Sequence, residues 1–218
     1  MDNATIEMAR RCFGYGRWDA PYWFIGPEQG QQRDENNGLA PRVNAWVKLG
    51  SSELCDCAEF HREINQHTWH REGNLQPTWT RLILVLLAFL DDQPIDSEKR
   101  RAYQRNNWGA LNGDTCVIEL SGLPANNLSV VRDRQLFQQE RMDTIRNNIE
   151  RYHPKFVLMY GIGQRSAWEN IAGRPLPPSD NIARPRGTIF ALAPHPVSRG
   201  LTNRYWEDLG KRMRGFAH

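Results

Sequence analysis

Tyr22-Trp23-Phe24-Ile25-Gly26-Pro27-Glu28-Gln29-Gly30 decides how the rest of the chain is read. The aromatic and β-branched run 22–25 suits a half-buried or buried strand, because such side chains pack well on a pleated surface. Gly26, Pro27 and Gly30 then turn the chain at the strand's end. In an open α/β sheet, ligands bind in the crevice beyond the carboxyl ends of the strands. Glu28 therefore falls where a ligand would sit, unless the stretch is a plain surface turn that happens to carry a carboxylate.

Working outward, three further apolar runs read as strands: 115–120, 156–161 and 188–193. Between and around them lie helical patterns at 5–13, 41–49, 59–69, 98–108, 134–152, 164–171 and 203–213, with Asn203 as the expected cap of the last. The uniformly apolar run 82–90 reads as a central helix against a sheet. Residues 31–38 read as an exposed polar loop. Alternating strand, loop and helix predicts an α/β fold, a three-layer sandwich with a central, mostly parallel four-stranded sheet. Residues 1–218 read as a single domain, with 1–20 as a peripheral N-terminal segment.

Net charge is +3, and only four of the 28 basic residues are Lys. Arg offers a planar fork of donors suited to phosphates and base edges, which points weakly to nucleic acid or a phosphorylated ligand. The eight Trp serve either core packing or base stacking. The start of the chain carries no apolar signal segment and no run spans a bilayer, so the expectation is a cytoplasmic or nucleoid-associated protein without membrane contact. Cys12, Cys55, Cys57 and Cys116 lack the spacing of a zinc knuckle. His61, His67 and His70 invite a metal, but His67 and His70 supply two ligands without a matched third, so no metal or other cofactor is expected. Glu119, a charge inside an apolar run, is either at a strand end or paired. With Ser121 it is a candidate ligand contact or a structural pair.

Glu28 after the first strand and His195 after the last resemble the two signature positions of the uracil-DNA glycosylase superfamily. In that family a glycine-rich motif after the first strand carries a water-positioning Asp or Asn, and a His-Pro-Ser-type motif near the C-terminus carries a histidine that meets the flipped base. Here the motifs read Gly26-Pro27-Glu28-Gln29-Gly30 and His195-Pro196-Val197-Ser198. Gln29 stands where proline is common, and Val197 replaces the usual serine. Leu120, Ser121 and Gly122 offer no base-reading Asn at the second strand, and Asn126 and Asn127 come several residues later. The four cysteines do not match the spacing of the branches that carry an iron–sulfur cluster.

The resemblance covers most of the chain from Tyr22 onward and implies a monomeric, monofunctional DNA glycosylase acting on DNA with a deaminated base. It implies Glu28 and His195 as catalytic residues and a base pocket drawn from Gly26, Trp23, Glu119, Ser121 and Tyr160. Arg199 and Leu201 would form the DNA-inserting loop, and Arg199 with Arg204 would hold phosphates. A catalytically weak or inactive nucleic-acid-binding protein of the same fold is the alternative. An unrelated nucleotide-binding domain fits less well, because Gly26–Gly30 lacks the lysine of a phosphate-cradling loop. No glycine-flanked serine elbow supports a serine hydrolase.

Overall fold

The computed structural model describes residues 2–28, 38–71, 73–91, 94–123 and 131–217. The expected polar loop 31–38 lies almost wholly outside them, as do Gln29, Gly30, Asn126 and Asn127. In chain order the elements are α1 Asn3–Arg11, β1 Gly14–Gly16, β2 Tyr22–Glu28, α2 Leu39–Lys48, β3 Leu54–Cys55, α3 Cys57–Glu63, α4 Thr68–Arg71 and α5 Pro77–Phe89. Then come α6 Ser97–Asn106, β4 Thr115–Ser121, α7 Val131–Tyr152, β5 Phe156–Tyr160, α8 Arg165–Ala172, β6 Ile182–Ala183, β7 Ile189–Ala193 and α9 Asn203–Gly215.

Among the described residues the sheet has seven strands in the order β3-β1-β4-β2-β5-β7-β6, which corrects the expected four. Its centre, β4-β2-β5-β7, is the four apolar runs of the sequence, all mutually parallel. The three extra strands are two or three residues long and extend the sheet at both edges. They escape sequence reading because so short a segment carries no periodicity.

Gly14 and Gly16 are instructive. As isolated glycines they read as breakers of α1, yet they form β1, antiparallel to β4. Both have positive φ, 146° and 91°, and a Cβ on either would come within 2.3 Å of the Val117 carbonyl oxygen or 2.1 Å of that of Thr115. Only glycine allows β1 to approach β4 this closely. The segment expected to be peripheral thus enters the sheet, and Met8, Ala9, Cys12 and Phe13 beside it are buried.

Period-two alternation sorts the central strands onto two cores. Tyr22, Phe24, Val117, Phe156, Leu158, Ile189 and Ala191 join the core that contains α5 and Trp206, Leu209 and Met213 of α9. Trp23, Ile25, Cys116, Ile118, Val157, Met159, Phe190 and Leu192 join the core of α7 and α8. Helices therefore cover both faces, giving three layers. Trp23, Trp46, Trp108, Trp168 and Trp206 are among the largest fully buried side chains, so these five serve packing.

The apolar run 82–90 is buried in α5, whose start is set by Pro77 in the first turn and by the Gln76 side chain accepting from Trp79 N. The pattern read over 59–69 is two helices, α3 and α4, separated where Asn65 adopts φ 57°. Thr202, not Asn203, holds the N-cap position of α9, and its side chain makes no capping hydrogen bond. Among the described residues no helix is long and apolar enough to cross a membrane.

Candidate active site

The C-terminal edge of the four parallel strands gathers most of the residues singled out in the sequence. Gly26 lies opposite Glu119, and Glu28 lies opposite Ser121, in the β2–β4 register. Tyr160 ends β5 opposite Ala193 of β7, and His195 follows two residues later. Gly26, Glu28, Glu119, Ser121 and Tyr160 share the alternation phase of Tyr22, Phe24, Val117 and Leu158, hence one face of the sheet. Across the sheet they read Glu119 (β4), Gly26 and Glu28 (β2), Tyr160 (β5) and His195 (after β7).

Trp23 is not part of this group. It is out of phase by one residue, fully buried in the opposite core, and its Nε1 donates to the Ala20 carbonyl oxygen at 2.8 Å. A base cannot stack on it there, so its assignment to the pocket is corrected.

Glycine at position 26 makes room for the site. A Cβ there would lie 2.2 Å from both Glu119 Oε2 and the Tyr160 hydroxyl. The Tyr160 hydroxyl donates to Glu119 Oε1 at 3.3 Å. Glu119 Oε2 is buried and meets no protein hydrogen-bond partner among the described residues. Burial pushes the Glu119 carboxyl up to about 8, against the lowering effects of the Tyr160 hydrogen bond and the Arg141 charge, and repulsion from Glu28 adds to the rise. The shift favours the protonated carboxylic acid at neutral pH. Burial also raises the Tyr160 hydroxyl well above its ordinary range.

His195 stands edge-on to the Tyr160 ring, 5.4 Å between centroids. Its Nδ1 accepts from Val197 N at 3.4 Å, which puts the ring proton on Nε2. Burial lowers its pKa, so the neutral imidazole with an Nε2–H donor is the form at neutral pH. The Pro-flanked turn is closed by Ser198 N donating to the His195 carbonyl oxygen.

Behind this edge, Arg141 of α7 is 1 % exposed. It donates to five carbonyl oxygens, those of Ala9, Arg10, Cys12, Glu119 and Leu120. Its guanidinium also lies 4.2 Å above the Phe13 ring centroid. It joins the C-terminal end of α1, where carbonyls lack helical partners, to the end of β4.

Ser121 Oγ bonds within its own turn, accepting from Leu123 N at 3.2 Å. Arg199 is exposed on the loop before α9. Arg204 is exposed and 3.8 Å from Asp208. Leu201 is partly buried against the core, and Arg81 donates to its carbonyl oxygen at 3.3 Å. The large apolar side chain that this turn exposes is Val197. Sequence reading missed the Glu119–Tyr160 pair as a pair and missed Arg141 altogether. The alternation phase could have found the pair, whereas Arg141 lies in a helix full of polar residues and carries no such signal. Away from this edge, a groove of about 490 Å³ lined by Arg146, Glu150, His153, Arg174 and Arg186 opens beside Thr188, just before β7.

No protein-family model matches the chain, and no curated protein matches it.

Proposed function

We propose that this protein is a DNA glycosylase that hydrolyses the N-glycosidic bond of uracil or another deaminated base. The observation that carries the reading is the row of Glu119, Glu28 and Tyr160 on three adjacent parallel strands, with His195 just past the fourth, at the edge where α/β sheets bind ligands. In this reading the four central strands are a uracil-DNA glycosylase-like core, extended by three short edge strands.

The chemistry follows from these groups. As the bond between C1′ and the base nitrogen breaks, its electron pair leaves with the base and positive charge builds on the sugar. Glu28 holds a water for attack at C1′, accepts its proton and offsets the sugar's charge. His195 donates from Nε2 to a base carbonyl oxygen on which negative charge grows. A neutral Glu119, held by Tyr160, leaves the negative charge to Glu28 and does not repel the departing base. The base must first leave the stack, which costs least from a mismatch or a single strand. Val197 is the exposed apolar side chain of the late turn and suits contact with the unstacked DNA better than the half-packed Leu201.

The test is a panel of labelled oligonucleotides carrying uracil, hypoxanthine, xanthine or normal bases, single-stranded, matched and mismatched, cleaved by alkali after incubation. Release of a deaminated base with an abasic product is expected. DNA binding without abasic product at enzyme excess would replace the proposal with the non-catalytic reading.

A further inference from the structure

A second polar cluster lies on the same core face but towards the other end of the strands, and it does not depend on the glycosylase reading. Cys57 opens α3 behind Asp56, whose Oδ1 accepts from Ala58 N and Glu59 N. His61 is four residues on, so the helix puts both side chains on one face a turn apart. His70 arrives from α4. One ligand atom from each of the three lies within 4.8 Å of the other two. The Cys57 backbone N donates to the Gly109 carbonyl oxygen, and Gly109 N donates to Thr115 Oγ1 at the start of β4. The cluster is thereby fixed near the N-terminal ends of the parallel strands, away from Glu28 and His195.

Two of the three ligand–ligand edges already have the length a coordination sphere requires, and the third, between the two imidazole nitrogens, is no longer than 4.8 Å. Cys57 Sγ is 3.6 Å from His61 Nδ1 and 3.8 Å from His70 Nε2. Zinc bonds of about 2.3 Å to sulfur and about 2.0–2.1 Å to nitrogen, at a tetrahedral angle, set an S···N edge of about 3.6 Å. Burial is nearly complete, with Cys57, His61 and His70 at 0 %, 5 % and 8 % exposure. The aromatic rings of Tyr15 and Trp79 lie against them, with Tyr15 and Trp79 at 5.3 and 5.1 Å from the His61 ring and Trp79 at 5.7 Å from that of His70.

Hydrogen bonding within the protein accounts for His61, whose Nδ1 meets the Cys57 carbonyl oxygen at 2.7 Å, but much less well for His70. His70 Nδ1 is buried with no partner among the described residues, and a ligand on Nε2 leaves that atom as it is, so what Nε2 faces is what points to an ion. The described polar contact of its ring is the long one to the Cys57 sulfur, a weak donor. Burying an imidazole for so little return is unfavourable, since buried polar groups are normally paired. A thiol and two imidazoles converging in a buried pocket are a donor set for a borderline-soft cation.

We propose that Cys57, His61 and His70 bind one Zn²⁺, through Cys57 Sγ, His61 Nδ1 and His70 Nε2, and that the ion cross-links α3 to α4. On binding, the Cys57 thiol proton passes to solvent as the Zn–S bond forms, and the His61 proton moves from Nδ1 to Nε2 as the ring turns its Nδ1 off the Cys57 carbonyl oxygen, which it meets at 2.7 Å without the ion. The thiolate and the nearby Asp56 carboxylate balance the charge of the ion. Three protein ligands leave one position for a water.

Metal analysis of the full-length protein, followed by chelator stripping and titration with Zn²⁺ and with Co²⁺, tests this. The expected result is one equivalent of zinc per chain, a thiolate-to-cobalt charge-transfer band with Co²⁺, and a Tm rise of about 5–10 °C when Zn²⁺ exceeds its dissociation constant about 100-fold. Cys57→Ser should abolish the charge-transfer band, and His70→Gln should weaken Zn²⁺ binding by at least about tenfold. Cys55→Ser, two residues from the site, should keep both band and stoichiometry, which guards against a general effect of losing a buried cysteine. Wild-type protein that takes up no zinc and shows no Tm shift overturns the proposal. So does stoichiometric zinc that persists unchanged in Cys57→Ser and His70→Gln.

Discussion

The end of β4 presents two opposite solutions to burying an ionisable group. On one side Arg141 is sealed among α1, α7 and the strand, with its donors spread over five backbone carbonyls. On the other side Glu119 has one oxygen met by Tyr160 and the other buried without a partner among the described residues. The same two residues of backbone, 119 and 120, serve both, because Arg141 bonds to their carbonyls and not to the Glu119 side chain. A charge whose hydrogen bonds are complete holds the fold together. A carboxyl left incomplete costs the fold stability, and groups perturbed in this way cluster at functional sites.

The largest effect should come from the satisfied side. Arg141→Met removes the donors to five carbonyls at once, and each orphaned buried group costs about 1–3 kcal/mol before relaxation. A loss of about 4 kcal/mol or more in urea denaturation is expected. A loss under about 1 kcal/mol would show that water replaces the guanidinium and that the two sides differ less than described.

Glu119→Gln should do the reverse, and in a pH-dependent way. The folded carboxyl is raised from 4.5 to about 8, so between those values the folded state retains a proton that the unfolded state releases. Stability of the wild type therefore falls as pH rises through that window and levels off above it. The variant has no such group, and histidine titrations cancel in the difference. Relative to wild type it should gain about 3 kcal/mol between about pH 5 and about pH 8, at about 1.4 kcal/mol per unit. A difference that does not change with pH would mean Glu119 is ionised throughout.

Gly26→Ala should cost about 1–3 kcal/mol, because the new methyl displaces Glu119 Oε2 and the Tyr160 hydroxyl together. It should also bring the Glu119 titration seen by carbon-13 NMR nearer its ordinary value as the carboxyl is driven outward. An unchanged titration would show that the pair's placement does not depend on the missing side chain.

Much of this architecture was legible in the chain. The four parallel strands are long apolar runs bounded by turn residues, and that signal survives without any partner sequence. Glu28 and His195 were legible because a polar residue just past such a run has few places to go except the sheet's edge. What failed was whatever depended on registration between distant segments. β1 was hidden because Gly14 and Gly16 matter only against the Thr115 and Val117 carbonyls. Trp23 was misplaced by proximity in sequence, although counting in twos from Glu28 to Gly26 and Phe24 puts it on the opposite face. The Cys57, His61 and His70 cluster was missed because Cys57 was weighed with Cys55, its near neighbour in sequence, and not with His61 one helical turn away.

In the proposed function, the sheet edge carrying Glu28 and His195 breaks a glycosidic bond. Single-turnover release of uracil from a labelled single-stranded oligonucleotide, run beside a DNA-binding titration, tests it most directly. Glu28→Gln should slow release by about 10²–10⁴-fold and His195→Ala by about 10²–10³-fold, with DNA affinity changed by less than about threefold. Release at the wild-type rate in both variants would contradict the account and move the chemistry away from this edge.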